Sequence, residues 1–143
     1  MLKKVRIKIE SSIDNLDSAG IPDGDSEKTV TEAEGTYRFS SDDAVITYKE
    51  RAEGTEISSR ITVVSDSVSV RRSGGIESEL FFREGEKSIS LYSIPPYKFD
   101  AEVEAKRVRI NLTPEGGSID LLYNMKIGGA DKSARMRIWI SQP

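Results

Sequence analysis

Residues Val68–Phe82 read V-S-V-R-R-S-G-G-I-E-S-E-L-F-F, and this stretch decides the fold class. Apolar and polar residues alternate on both sides of Ser73-Gly74-Gly75, which is the pattern of two antiparallel strands joined by a tight turn. Arg72 has the same parity as Val68 and Val70. Because residues of equal parity share one face of a strand, the hairpin is predicted to direct one guanidinium toward the apolar side of the sheet.

Similar alternating segments fill the rest of the chain, about ten in all, and short turns of glycine, serine and acidic residues separate them. Asp14–Lys28, which contains glycine, proline and several acids, is predicted to be a long solvated loop. The apolar parity changes near Lys106, which predicts a β-bulge there. The clearest inward row is Ile119, Leu121, Tyr123, Met125 and Ile127.

These strands form a nearly uninterrupted meander without a helical pattern of three turns. The sequence therefore predicts that residues 1–143 form a single all-β domain, an antiparallel β-barrel of about 8–10 strands with little helix.

The composition excludes several kinds of site. The chain of 143 residues contains no cysteine and no histidine, which removes thiol chemistry, the usual general base and the commonest metal ligand. A net charge of −3 with interspersed signs does not favour nucleic acid or a membrane surface as a partner. The amino terminus reads as a strand and not as a signal peptide, so we expect a cytoplasmic protein, and the oligomeric state is left open.

Several short motifs follow one another along the chain: Arg72-Ser73-Gly74, Phe82 with Gly85, Tyr92 with Pro95, Gly117, Tyr123-Asn124-Met125 and Gly128. Their order and spacing resemble the YwiB-like family, a group of small uncharacterised bacterial proteins. The resemblance implies a calycin-like, and so lipocalin-like, antiparallel barrel. The family has no known function, so the resemblance implies no site residues, and it favours ligand binding only by analogy of fold.

Four residues form the candidate ligand site. Arg72, Tyr37, Tyr48 and Tyr123 all have the parity of inward apolar residues. A barrel of this size can hold one small ligand, and an arginine among tyrosines could bind a carboxylate or phosphate. The leading hypothesis is therefore a non-enzymatic binder of a small anionic ligand at the barrel mouth. In the opposing interpretation Arg72 pairs with an acid such as Glu50, and the tyrosines only fill volume.

Two other functions are consistent with the sequence. Arg60, Arg71, Arg135 and Arg137 have solvent-facing parity and, with Trp139, could form a protein-interaction patch on an outer face, or the barrel could offer an incompletely closed edge. A carboxylate-based enzyme would need two acids in one cleft. No cofactor is expected. No metal site is expected either, because the acidic run Asp23-x-Asp25-x-Glu27 lacks the glycine that a calcium loop requires at its sixth position.

Overall fold

The computed structural model describes residues 2–52, 54–94 and 96–143, apart from the side chains of Asp25, Ala52, Tyr92 and Ile94. It contains ten β-strands. They are β1 (Leu2–Leu16), β2 (Pro22–Ser40), β3 (Asp43–Ala52), β4 (Thr55–Val64), β5 (Ser67–Ser73), β6 (Glu77–Arg83), β7 (Lys87–Ile94), β8 (Tyr97–Thr113), β9 (Gly116–Ile127) and β10 (Ala130–Ser141). Pro95 and the side chain of Tyr92, which carry part of the family resemblance, lie outside the described residues.

Each strand pairs antiparallel with its neighbours in sequence, and β10 pairs with β1 to close the ring. This up-and-down order confirms the predicted all-β antiparallel barrel. The turns that follow β1, β3, β5, β7 and β9 all lie at one end, which we call the mouth, and the other turns lie at the opposite end, which we call the floor. None of the described residues forms a helix long and apolar enough to cross a membrane.

The floor is filled by inward side chains from strands all around the ring. Each is at most 4% exposed, and burying an aliphatic or aromatic side chain of this kind contributes about 1.5–3 kcal/mol. These floor residues are Val5, Tyr37, Ala44, Val63, Val68, Phe82, Ile119 and Ile140. This end of the barrel is a packed core.

The predicted loop over Asp14–Lys28 is wrong. β1 continues to Leu16 and β2 begins at Pro22, so only a short turn separates them. The Asp17 carboxylate accepts hydrogen bonds from the backbone N–H groups of Ala19 and Ile21 at 2.9 and 3.0 Å, and these bonds fix the turn. Most of β2 before Glu34 is exposed, so this part of the strand has no buried face to produce an alternating pattern.

Strand β2 also leaves part of the barrel wall open. Its ladder with β3 runs only from Gly35 to Ser40, so the part of β2 nearer the mouth has no recorded strand partner on the β3 side among the described residues. At Gly35 the two strands approach closely: a Cβ atom there would collide with the carbonyl oxygen of Thr47 and lie 2.6 Å from Cδ1 of Ile7. The glycine therefore permits close packing at the point where β2 separates from β3.

The predicted bulge near Lys106 is confirmed. The register between β8 and β9 shifts between Ala105 and Arg107. Ala105, before the shift, is buried, and Val108, after the shift, packs against the core. The extra residue lets the apolar face of β8 stay inward on both sides of the parity change.

Candidate functional site

The mouth half of the barrel encloses a cavity of about 410 Å³. Its deeper wall is apolar and includes Ile9, Ile61, Val70, Leu80 and Met136. Hydroxyl groups of Ser11, Thr29, Thr31, Ser78, Tyr48 and Tyr123 lie among them, and the charged side chains are Glu50, Arg72 and Lys132. This volume falls within the range of small-molecule sites, which are mostly apolar concavities with a few polar groups.

Arg72 lies in this cavity and is bound to Glu50. Arg72 Nη2 donates to Glu50 Oε1 at 2.8 Å, and the two side chains are 31% and 21% exposed. The pairing that the sequence analysis considered as the opposing interpretation is therefore confirmed. Arg72 Nε is buried and has no hydrogen-bond partner among the described residues.

Tyr48 and Tyr123 lie on the cavity wall, as the parity predicted. Burial raises the pKa of Tyr48, and burial raises the pKa of Tyr123 to about 12. Both phenols therefore keep their protons at neutral pH and can donate a hydrogen bond to an oxygen atom in the cavity. The ring of Tyr123 packs against Phe82, with the ring centroids 4.7 Å apart, so it is anchored on the floor.

Tyr37 lies apart from the other three candidate residues. Its side chain is fully buried in the floor, and its hydroxyl donates to the carbonyl oxygen of Thr113 at 2.6 Å. Burial, with a smaller effect of Glu115, raises the pKa of Tyr37 to about 12. Tyr37 is not among the residues that line the cavity. The structure brings together Arg72, Tyr48 and Tyr123, and it places Tyr37 at the other end of the barrel.

Lys132 is a cavity residue that the sequence analysis missed. It lies near the start of β10 and is half-buried. A signal was present, because Lys132 shares its parity with Ala134, Met136 and Ile138, which point inward. Lys132 was not predicted to face inward because it is charged and lies near the start of a strand.

The arginines of the predicted outer patch do not come together. Arg60 and Arg71 are direct cross-strand neighbours on β4 and β5, whereas Arg135 and Arg137 lie on β10, at least four strand positions away around the ring. Arg135 donates to both carboxylate oxygens of Asp120, at 3.2 and 2.9 Å. This pairing, with further contributions from the neighbouring arginines, holds the pKa of Asp120 below its ordinary value.

Trp139 shares the β10 face with Arg135 and Arg137. The ammonium of Lys8 lies 5.7 Å from the centroid of its ring. The residues proposed for the patch therefore form two separate groups on different sides of the barrel, and the group on β10 is largely engaged with its own neighbours.

Glu50 is the single carboxylate among the described residues that line the cavity. A hydrolase with two catalytic carboxylates needs a second acid nearby, and this cavity does not provide one. Among the described residues there is also no group of three or more side chains arranged to hold a metal ion. The chemistry available in the cavity is hydrogen bonding and ion pairing.

Comparisons with known proteins agree with this fold. A family model described as a domain of unknown function (DUF1934) matches residues 7–140. The chain is also similar to the crystal structure of ywiB protein from Bacillus subtilis, with a TM-score of 0.85 and 20% sequence identity over 99% of this chain and 93% of that chain. At this identity the likeness shows a shared fold. A search of curated proteins gave no significant match.

Proposed function

The chain belongs to the DUF1934 family of unknown function, as the YwiB-like resemblance implied, and from this premise we propose that it is a non-enzymatic protein that binds a small organic anion inside its barrel. The observation that carries the proposal is the cavity of about 410 Å³ in the mouth half of a barrel whose floor is packed. We also propose that the barrel is of the calycin type and that the protein is cytoplasmic.

The size of the cavity supports a small ligand. At about 30 Å³ for each water molecule, the volume corresponds to roughly a dozen waters. Releasing such water from an apolar wall favours binding, and the hydroxyl groups and charges nearer the mouth orient the ligand. With two cations and one carboxylate, the charged residues of the lining carry a net positive charge, which favours an anion.

The test is a thermal-shift screen with a panel of small organic acids. Wild type is compared with Ser78→Phe, which places a ring in the cavity, and with Ser69→Phe, which places the same ring on the outer face of β5. We expect ligands that raise the Tm of wild type and of Ser69→Phe, and that lose this effect in Ser78→Phe. A shift that is equal in all three proteins would contradict binding in the cavity.

These variants are preferable to Arg72→Ala. Removing the guanidinium would leave the partly buried carboxylate of Glu50 without its partner, and its negative charge would repel an anion in the cavity even if Arg72 made no contact with that anion. The two serine substitutions leave the charge unchanged. Ser78 is 6% exposed on the inner face, so the comparison isolates the volume of the cavity.

A second candidate function is a protein-interaction module, and the open edge of β2 favours it. The part of β2 between Pro22 and Glu34 has no recorded partner on the β3 side among the described residues, and an extended segment of another chain could pair with it. Pull-down from lysate separates the two functions. A partner that binds Ser78→Phe but not Val30→Pro supports the edge, whereas loss of the partner in Ser78→Phe alone contradicts it.

A further inference from the structure

The cavity contains three charged side chains, and only one of them is without an ion-pair partner among the described residues. Arg72 and Glu50 are bound to each other, and no salt bridge is recorded for Lys132. We propose that Lys132, and not Arg72, is the residue that holds the acidic group of the ligand. This inference rests on the proposed function, and it identifies the ligand as a small organic molecule with one acidic group and an apolar body.

The charge of Arg72 is already balanced. Its Nη2 atom lies 2.8 Å from Glu50 Oε1, so an approaching anion meets an ion pair with no net charge. Attraction to the guanidinium is opposed by repulsion from the adjacent carboxylate, because both act over similar distances. The unpartnered Nε of Arg72 is buried and so is not exposed to an approaching anion.

Among the described residues, no recorded ion pair balances the charge of Lys132. It lies on β10, which is five strand positions from β5 in either direction around the ten-stranded ring, so Lys132 and Arg72 occupy opposite walls of the mouth. Glu102, Glu104 and Asp131 border the same lysine from an adjoining surface depression. Glu102 pairs with Lys87 and Glu104 pairs with Lys87 and Lys106, and among the described residues no salt bridge to Lys132 is recorded for any of the three acids. Half-burial strengthens the ion pair of Lys132 with a ligand compared with a pair in open water.

The arrangement of the lining determines the rest of the ligand. The apolar side chains Ile61, Val70 and Leu80 lie deeper in the barrel than the charged residues. A ligand that places its acidic group at Lys132 therefore directs its remaining atoms toward an apolar wall. A molecule with several charged groups would bury some of them there without partners, at a large cost in free energy.

Two fluorescent probes test the assignment. Anilinonaphthalene sulfonate (ANS) has one permanently charged sulfonate on an apolar body, and N-phenylnaphthylamine (NPN) is the same body without the charge. Each is titrated into wild type, Lys132→Met, Lys132→Arg and the double variant Arg72→Met/Glu50→Gln. The double variant removes the ion pair without leaving an unpaired charge. Circular dichroism confirms that each variant is folded.

We expect Lys132→Met to raise the Kd for ANS about 10-fold or more and to leave the Kd for NPN within about threefold of wild type. Lys132→Arg keeps the charge and should retain ANS binding. The double variant should also retain it, since Lys132 remains. The assignment is overturned if the double variant no longer binds ANS while Lys132→Met still does. The anion would then be held by Arg72.

A different set of results is expected if the proposed function is wrong. The cavity-filling variant Ser78→Phe should weaken binding of both probes, whereas Ser69→Phe should not. If Ser78→Phe leaves the Kd of both probes unchanged, the probes do not bind in the cavity, and the proposed function is contradicted. If Arg60→Met/Arg71→Met weakens the binding of ANS but not that of NPN, the anion site lies on the outer wall. There these two cations face each other across β4 and β5.

Discussion

Tyr37→Phe tests whether the floor of the barrel is closed as described. The substitution removes one oxygen atom and leaves the ring in place. In the structure this oxygen donates a hydrogen bond of 2.6 Å to the carbonyl of Thr113, which lies at the end of β8, and the tyrosine side chain is fully buried. The bond thus links β2 to the end of β8, two strands that are not adjacent in the ring.

The expected cost follows from this single contact. Loss of an intramolecular hydrogen bond contributes about 0.5–1.5 kcal/mol, and a carbonyl left partly buried without a donor adds to it, so we expect the free energy of unfolding to fall by about 1–2 kcal/mol. For a domain of this length that corresponds to a decrease in Tm of roughly 3–8 °C. Tyr123→Phe is the matched control, because Tyr123 lines the cavity and no hydrogen bond from its hydroxyl to a described residue is recorded. We expect that control to change stability by less than about 0.5 kcal/mol.

Urea denaturation monitored by circular dichroism measures both variants against wild type at one pH. The reasoning requires Tyr37→Phe to be clearly less stable than Tyr123→Phe. Equal stabilities, or a larger loss for Tyr123→Phe, would show that the Tyr37 hydroxyl makes no specific contact in the floor and that the two tyrosines occupy equivalent places in the barrel.

Three further predictions concern stability. The pKa of Tyr123 is raised to about 12 from an ordinary 10.0, so the contribution of this group to stability is fully present below pH 10 and is lost as the pH rises through 12. We expect a loss of about 2 kcal/mol by pH 12, which Tyr123→Phe removes in urea titrations across this range. The hydrogen-bonded pair with Arg135 lowers the pKa of Asp120, so Asp120→Asn should cost about 1 kcal/mol at pH 7. Its difference from wild type in acid titration should decrease as the pH falls from the ordinary value of 3.8 and disappear once the pH has passed the lowered pKa. Gly35→Ala forces a Cβ against the carbonyl oxygen of Thr47, and we expect thermal melts to show a loss of about 1–3 kcal/mol or more; an unchanged Tm would contradict the close approach.

The parity of the sequence was sufficient to predict the barrel and much of its interior. Tyr48, Arg72 and Tyr123 were expected to face inward because they share the parity of apolar neighbours, and all three line the cavity. The bulge near Lys106 could be predicted for the same reason, since an uncorrected change of parity would expose every later apolar residue of β8. These features depend on local alternation, which a single sequence contains.

Depth along the barrel axis could not be predicted. Tyr37 and Tyr48 have similar patterns around them, but the register of β2 against β3 places Tyr37 beside Ile46 on the floor and Tyr48 beside Gly35 nearer the mouth. That register depends on contacts between distant residues. The parity of Lys132 indicated that it faces inward, but its depth, near the mouth, depends on the register of β10 against β1.

The central claim is that the mouth half of the barrel is a ligand cavity above a packed floor. A crystal structure of the protein soaked with ANS tests it most directly. The account predicts the aromatic body of the dye between Tyr48 and Tyr123 and its sulfonate at Lys132. Dye bound only to the outer face of the barrel, or a mouth half filled by protein side chains with no space for it, would contradict the account.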